Sequence, residues 1–138
     1  FFYKNYPDVI ISPNRDLIGL ANASGRLYII GNKKEKFIRS IWEQKYGLEN
    51  ETNNLKGKFA CEENKYCKYE IAGQSLVINY DEKIFDGTCS QNTIYVQDGK
   101  VECLEGYKEN PNLIKGSLLL WVENSQVKWQ DLSSKNLK

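Results

Sequence analysis

Apolar residues recur along this chain with two different periods, and the change of period marks one helix among short strands. Val9-Ile10-Ile11, between Asp8 and Ser12, is a short apolar run closed by the turn pair Pro13-Asn14. Leu17–Ala21 follows, and Asn22-Ala23-Ser24-Gly25 predicts a hairpin connection in which Gly25 supplies positive φ. Arg26–Ile30 returns as its partner. The pattern then switches. Phe37, Ile38, Ile41 and Trp42 recur at i, i+1, i+4 and i+5, which predicts a helix over Lys33–Tyr46 with this stripe packed as core on a sheet. Asn32 stands where a cap belongs, Glu35 three residues on as in a capping box, and Gly47 is the stop. The polar face carries Lys34, Lys36, Arg39, Glu43 and Lys45.

Period-2 runs resume after a polar, Asn-rich stretch over Glu49–Lys56, which reads as a surface loop. Phe59-Ala60-Cys61 and Cys67–Ile71 read as the arms of a hairpin, and Ala72-Gly73-Gln74 turns the chain into the strand Ser75–Tyr80. Asp81–Thr88 is a turn or one short helical segment holding Ile84 and Phe85. Thr93–Val96 is a strand, and Asp98-Gly99 turns toward Val101. Ser117–Val122 and Gln126–Gln130 close the chain as a hairpin around Glu123-Asn124-Ser125. In its second arm Val127 and Trp129 alternate with polar neighbours, as in a half-buried strand. Strands with one main helix among them predict an α+β class, a β-rich layered domain. Residues 7–130 read as a single globular domain, with a loose tail over 131–138.

Composition narrows the function more than any motif does. The 138 residues are enough for one domain with a core of its own. The net charge of +1 gives no bulk field to attract nucleic acid or an acidic membrane, so any anion binding must be local. Histidine is absent, which removes the commonest general base, the usual metal ligand and the partner that activates a serine nucleophile. Ser24 and Ser90 therefore lack an activating base. The carboxylate pairs Glu62-Glu63 and Asp81-Glu82 remain as candidates for metal or glycosidase chemistry, although sequence neighbours seldom converge on one bond. Solvated loops are the plainer reading. The sequons at Asn22 and Asn50 mean little without a glycosylating host. The chain reads as no enzyme, with no catalytic residues, no cofactor, no metal site and no small-molecule substrate.

The cysteines set the compartment. An even count of four, falling as two short loops, is what a small domain built in an oxidising compartment carries. Zinc would want two thiolates on one tight turn, whereas the gaps here are five, twenty-one and thirteen residues. Free buried thiols are the other alternative. Two local bridges, Cys61–Cys67 and Cys89–Cys103, are the simplest of three connectivities. Methionine is also absent, so the chain reads as a piece of a longer polypeptide. Residues 1–6, Phe1-Phe2-Tyr3-Lys4-Asn5-Tyr6, have the texture of a membrane-interface edge and read as a juxtamembrane remnant. Lys33, Lys34, Lys36, Arg39 and Lys45 form the one plausible polyanion surface, against the plainer reading of a solvated helix face.

The order of elements resembles the last domain of the ComEC family, the polytopic channels that carry transforming DNA across the bacterial inner membrane. The resemblance is to the short C-terminal form of some Gram-negative members. Four places carry it: Pro7–Ser12 leading to Ala23–Leu27; Lys36-Phe37-Ile38-Arg39 with Trp42; Cys61 and Cys67 in a W-x-C-D-x-x-G-C-like loop; and Cys89 and Cys103 ahead of Gly116–Trp121. Phe59, Glu62 and Tyr66 depart from that loop's Trp, Asp and Gly. Many family members end in a metallo-β-lactamase-type hydrolase whose metal ligands are mostly histidines, and none can be carried over. The resemblance implies a reduced metallo-β-lactamase-like fold and a non-catalytic periplasmic domain of an inner-membrane DNA-uptake channel. Its partners would be transforming DNA, held weakly and without sequence preference, and the membrane-embedded channel part of the same polypeptide. The alternatives are a metal-dependent nuclease using carboxylates only, and a periplasmic protein-interaction module unrelated to DNA.

Overall fold

A computed structural model describes residues 6–31, 34–63, 65–79, 85–110, 112 and 115–133. Among the described residues, ten strands and one α-helix follow in the order β1 (Val9–Ile11), β2 (Leu17–Ala21), β3 (Leu27–Gly31), α1 (Lys36–Tyr46), β4 (Lys58–Glu62), β5 (Tyr66–Ile71), β6 (Gln74–Asn79), β7 (Thr93–Gln97), β8 (Lys100–Glu102), β9 (Leu118–Glu123) and β10 (Gln126–Asp131), with a 3-10 turn at Thr52–Asn54 between α1 and β4. They form two five-stranded sheets, ordered β10-β9-β1-β2-β3 and β4-β5-β6-β7-β8. The first is antiparallel throughout, and the second has one parallel pair, β6 with β7.

The layers follow from which face each side chain takes. Val9 and Ile11 of β1, Ile18 and Leu20 of β2, and Leu118, Leu120 and Val122 of β9 point one way. They meet Cys67, Tyr69, Ile71, Leu76, Ile78, Ile94 and Val96 of the second sheet in one core between the sheets. The intervening Ile10, Leu17, Ala21 and Leu119 point the other way, into a second cluster with Trp42 of α1. The middle of the first sheet is thus covered on both faces, which explains why β1, β2 and β9 read as continuous apolar runs, while the edge strand β10 alternates. In β5 the outer face is wet: Lys68 and Glu70 are exposed between buried Cys67, Tyr69 and Ile71.

The architecture is β-rich α+β with three layers: helix, sheet and sheet. Several local expectations change in detail. The helix starts at Lys36, and Glu35 occupies the cap position itself without a side-chain cap bond; its carboxylate instead accepts from Asn14 Nδ2 at 2.8 Å. Asn32 and Lys33 lie outside the described residues, as do Asp81, Glu82 and Ile84. The stop at Gly47 is as expected, with φ of 84° and its amide donating to the Glu43 carbonyl. The stripe is only half core. Ile38 and Trp42 pack on the sheet with Tyr46, but Phe37 is 76% exposed and Ile41 42%. One sheet lies beneath the helix, and it covers only the Ile38-Trp42-Tyr46 row. At the other end, Asp131 completes β10 rather than opening a loose tail, and Ser133 is buried.

Candidate interaction surface

The expected polyanion face lies on α1, which packs on β3 with its polar side outward. Lys34, Lys36 and Lys45 are exposed there, while Lys33 lies outside the described residues. Arg39 is half-buried, and its Nε donates to Glu43 Oε2 at 3.1 Å. Lys45 Nζ sits 5.4 Å from the centre of the Tyr46 ring. Lys36, Arg39 and Lys45 therefore share one helix, with Lys34 in the turn before it, but Arg39 is already offset by a carboxylate one turn on. Tyr46 packs in the cluster beneath the helix and Tyr28 packs against the core between the sheets, meeting Phe59 edge-on at 5.7 Å. Neither ring is a free platform for stacking bases.

The cysteines join in two local pairs. Cys61 and Cys67 are directly opposite each other in the β4–β5 register, with Cα atoms 4.0 Å apart. Cys89 and Cys103 are bonded with Cα atoms 5.6 Å apart, tying the segment before β7 to the end of β8. No free cysteine remains. Two disulfides fit an oxidising, extracytoplasmic setting. No helix among the described residues is long and apolar enough to cross a membrane.

Of the remaining sequence candidates, Asn22, Ser24 and Ser90 have side-chain partners. Asn22 is buried: its Oδ1 accepts from the amides of Ser24 and Arg26 and from Ser24 Oγ, and its Nδ2 donates to Glu49 at 2.7 Å. The sequon asparagine is a turn organiser, and Ser24 serves it. Glu49 also accepts from Asn54 Nδ2 and the Glu51 amide, and these bonds, with Asn54 first, hold its carboxyl below the usual range. Ser90 is exposed and its Oγ is 3.4 Å from Tyr95 Oη. Glu62 and Glu63 are exposed at the end of β4. No cluster of three or more Cys, Asp or Glu side chains suited to a metal occurs among the described residues.

Two buried charges have no counterpart among the sequence candidates. Asp8 is fully buried; its carboxylate pairs with Lys56 Nζ at 2.5 Å and accepts the Val122 amide at 2.8 Å. Arg15 is buried in the turn between β1 and β2, at φ of 61°. It donates to the carbonyls of Gly116 and Ser12, to Tyr107 Oη and to Glu109 Oε2. Tyr107 in turn donates to Glu109 Oε1 at 2.7 Å, and the Val101 amide donates to Oε2 at 2.8 Å. Burial, reinforced by the bond to Glu109, pushes the Tyr107 hydroxyl up to about 12. Burial alone would raise Glu109, but Tyr107, the Val101 amide and Arg15 together hold its carboxyl below the usual range. This cluster lines a small cavity of about 210 Å³ with Lys115 and Asp131. Its geometry is that of a clasp whose groups satisfy one another. A larger open groove of about 690 Å³ lies between the β9–β10 hairpin and the segment after β8, lined by Thr93, Glu105, Val127 and Lys128 among others.

No protein-family model matches this chain, and no curated protein or solved structure matches it either.

Proposed function

We propose that this chain is a non-catalytic extracytoplasmic domain of a bacterial inner-membrane DNA-uptake channel, acting as a scaffold for the channel's membrane-embedded part. The observation that carries the extracytoplasmic half of this reading is the pair of disulfides, Cys61–Cys67 and Cys89–Cys103. The DNA-uptake half rests on the ComEC-like order of elements, and the periplasm is the compartment that order implies. The two facing sheets with a helix on one outer side are compatible with a reduced metallo-β-lactamase-like fold, stripped of its histidine ligands. Scaffolding is favoured over DNA contact because the helix cations are few and Arg39 is offset by Glu43. Any DNA contact would be weak and without sequence preference. An interaction module unrelated to DNA is the second reading, and exposed Phe37 and Ile41 favour it.

The test is made in the full channel polypeptide. Removing this domain should abolish transformation while the membrane part still inserts. Transformation that persists at the full level would overturn the DNA-uptake reading and leave the interaction module. Magnesium-dependent DNA cleavage by the pure chain, lost on substitution of Asp81 or Glu82, would replace both with the carboxylate nuclease.

A further inference from the structure

On α1, Phe37 and Ile41 stack one turn apart, and Lys45 continues the same row one turn later, because residues four apart share a helix face. Lys34 is exposed in the turn that leads into α1, Lys36 is exposed in the helix's first turn on the side that Glu43 shares, and Lys45 is exposed at the row's end. The row is therefore apolar over its first two positions and basic at its C-terminal end, with two further lysines at and before the helix start. Glu43 lies on the flank away from Phe37 and Ile41, engaged by Arg39, and Glu35 at the cap position accepts from Asn14. The adjacent row, Ile38-Trp42-Tyr46, holds the helix on the sheet. Tyr6, the first described residue, packs in that same cluster. Tyr6 thus lies on the face that carries α1, three residues after Phe1-Phe2-Tyr3 in the sequence.

We propose that the Phe37–Ile41 face of α1 docks on an anionic phospholipid surface, its two apolar side chains entering the interface while Lys34, Lys36 and Lys45 meet the headgroups. A large exposed apolar pair with lysines along the helix and in the turn before it is the arrangement such surfaces hold, with apolar groups at the acyl boundary and cations among the phosphates. The other occupants match the chemistry less well. A second copy would set these lysines against their own images. Duplex DNA offers phosphates to the lysines but no apolar surface to Ile41. The inference goes beyond the DNA-uptake reading and stands without it, since transformation and vesicle binding can fail separately.

Two apolar side chains with three lysines should give reversible partitioning rather than fixed anchoring. The test is co-sedimentation of the full 138-residue chain with vesicles of phosphatidylglycerol and phosphatidylcholine, and with phosphatidylcholine alone. Binding is expected to the anionic vesicles and to fall at high salt. Phe37→Ser with Ile41→Ser should reduce it by at least about tenfold. Each Lys→Gln change at positions 34, 36 or 45 should cost about fivefold. Near-ultraviolet circular dichroism checks that the variants stay folded, and Ser40→Ala, on the same exposed side, serves as the neutral control. Absence of binding, equal binding to both vesicle types, or binding indifferent to the Phe37/Ile41 change would overturn the proposal. So would a dimer seen by sedimentation velocity without lipid and lost in Phe37→Ser, which would assign the face to a second copy. Displacement from vesicles by an oligonucleotide with Phe37 and Ile41 making no difference would assign it to DNA.

Discussion

Arg15 donates from Nη2 to the Tyr107 hydroxyl at 2.7 Å, joining the first turn of the first sheet to the segment that leaves the second. The same guanidinium reaches the Gly116 carbonyl just ahead of β9 at 2.6 Å, so one side chain spans the entry to three parts of the fold. A planar, five-donor cation suits this place, because each of its partners lies in a different direction. Around it Glu109 balances the charge and Tyr107 passes a hydrogen bond from one to the other.

Breaking that clasp should be costly. Arg15→Ala leaves Glu109 with its main counter-charge gone and the Gly116 carbonyl without this donor, a loss of about 3–5 kcal/mol for a buried pair with one partner removed. Arg15→Lys keeps the charge but loses the fork, and should fall between the variant and the wild type. Urea unfolding midpoints at constant slope would show the order. A loss below about 1 kcal/mol for Arg15→Ala would mean the cluster is incidental to stability.

The same cluster sets a pH dependence at both ends. Tyr107 holds its proton to about 12 in the folded chain against about 10 unfolded. Its share of stability is therefore complete below about 10 and is lost as pH rises toward the folded value. Burial raises Tyr69 in the same direction, so the alkaline limb is shared. Glu109 is shifted the other way, so its share is present above about 4.3 and lost as pH falls through the lowered folded value. Tyr107→Phe should flatten both limbs, because it removes one titrating group and a donor to the other. Unfolding midpoints measured across pH for the two proteins check this; identical curves would contradict it.

Asp8 and Lys56 are the second buried charge relationship. Asp8→Ala removes the acceptor of the Val122 amide and the partner of Lys56 together, and is expected to cost about 3 kcal/mol. Asp8→Asn keeps an acceptor for the amide and should cost about 1–2 kcal/mol. Thermal melts of the two variants read the difference. Equal losses would show that only the charge matters at this site.

What the sequence made legible follows from which signals are local. The strands stand out because the sheet faces impose alternation or continuous apolar runs on residues such as Cys67–Ile71 and Leu118–Val122. Gly47 stands out because a helix ends where φ turns positive. Arg15 and Asp8 did not, since a charged residue beside Pro13-Asn14 or Pro7 reads as solvated turn until the distant Tyr107, Lys56 and Val122 are in place. Phe37 and Ile41 were misplaced for a different reason. Four apolar residues at helical spacing show that a stripe exists but not how wide the covering sheet is. The local clue was present: the Ile38-Trp42 row runs on to Tyr46, whereas the Phe37-Ile41 row runs on to Lys45.

The two disulfides should contribute unequally. On chain entropy alone, the loop between Cys61 and Cys67 is worth about 2.4 kcal/mol and the longer one between Cys89 and Cys103 about 3 kcal/mol. The first also closes a hairpin that its backbone pairing already holds. Replacing Cys61 and Cys67 by serine should thus lower stability less than replacing Cys89 and Cys103, as calorimetric melting of the two double variants would show. Non-reducing peptide mapping of native material should recover both local pairs; four free thiols, or bound zinc, would refute them and the extracytoplasmic setting that leans on them.

DNA contact, if the chain makes it, has a definite physical form. Lys36 and Lys45 on α1 and Lys34 just before it are exposed, and Arg39 is drawn toward Glu43, so only a handful of phosphates can be neutralised. Binding should then be weak and indifferent to sequence. The plot of log affinity against log salt should slope near about −0.9 per phosphate on duplex and about −0.7 on single strands. Tyr28 and Tyr46 are packed, so single strands should gain little from stacking on them. Changing Lys33, Lys34, Lys36 and Arg39 to alanine should remove the binding while leaving the fold intact, since none of the described three lies on the Ile38-Trp42-Tyr46 row. Fluorescence anisotropy with labelled oligonucleotides at low salt measures it. If the wild type shows no association there, the lysines serve another anionic surface, and the channel reading keeps only its scaffolding half.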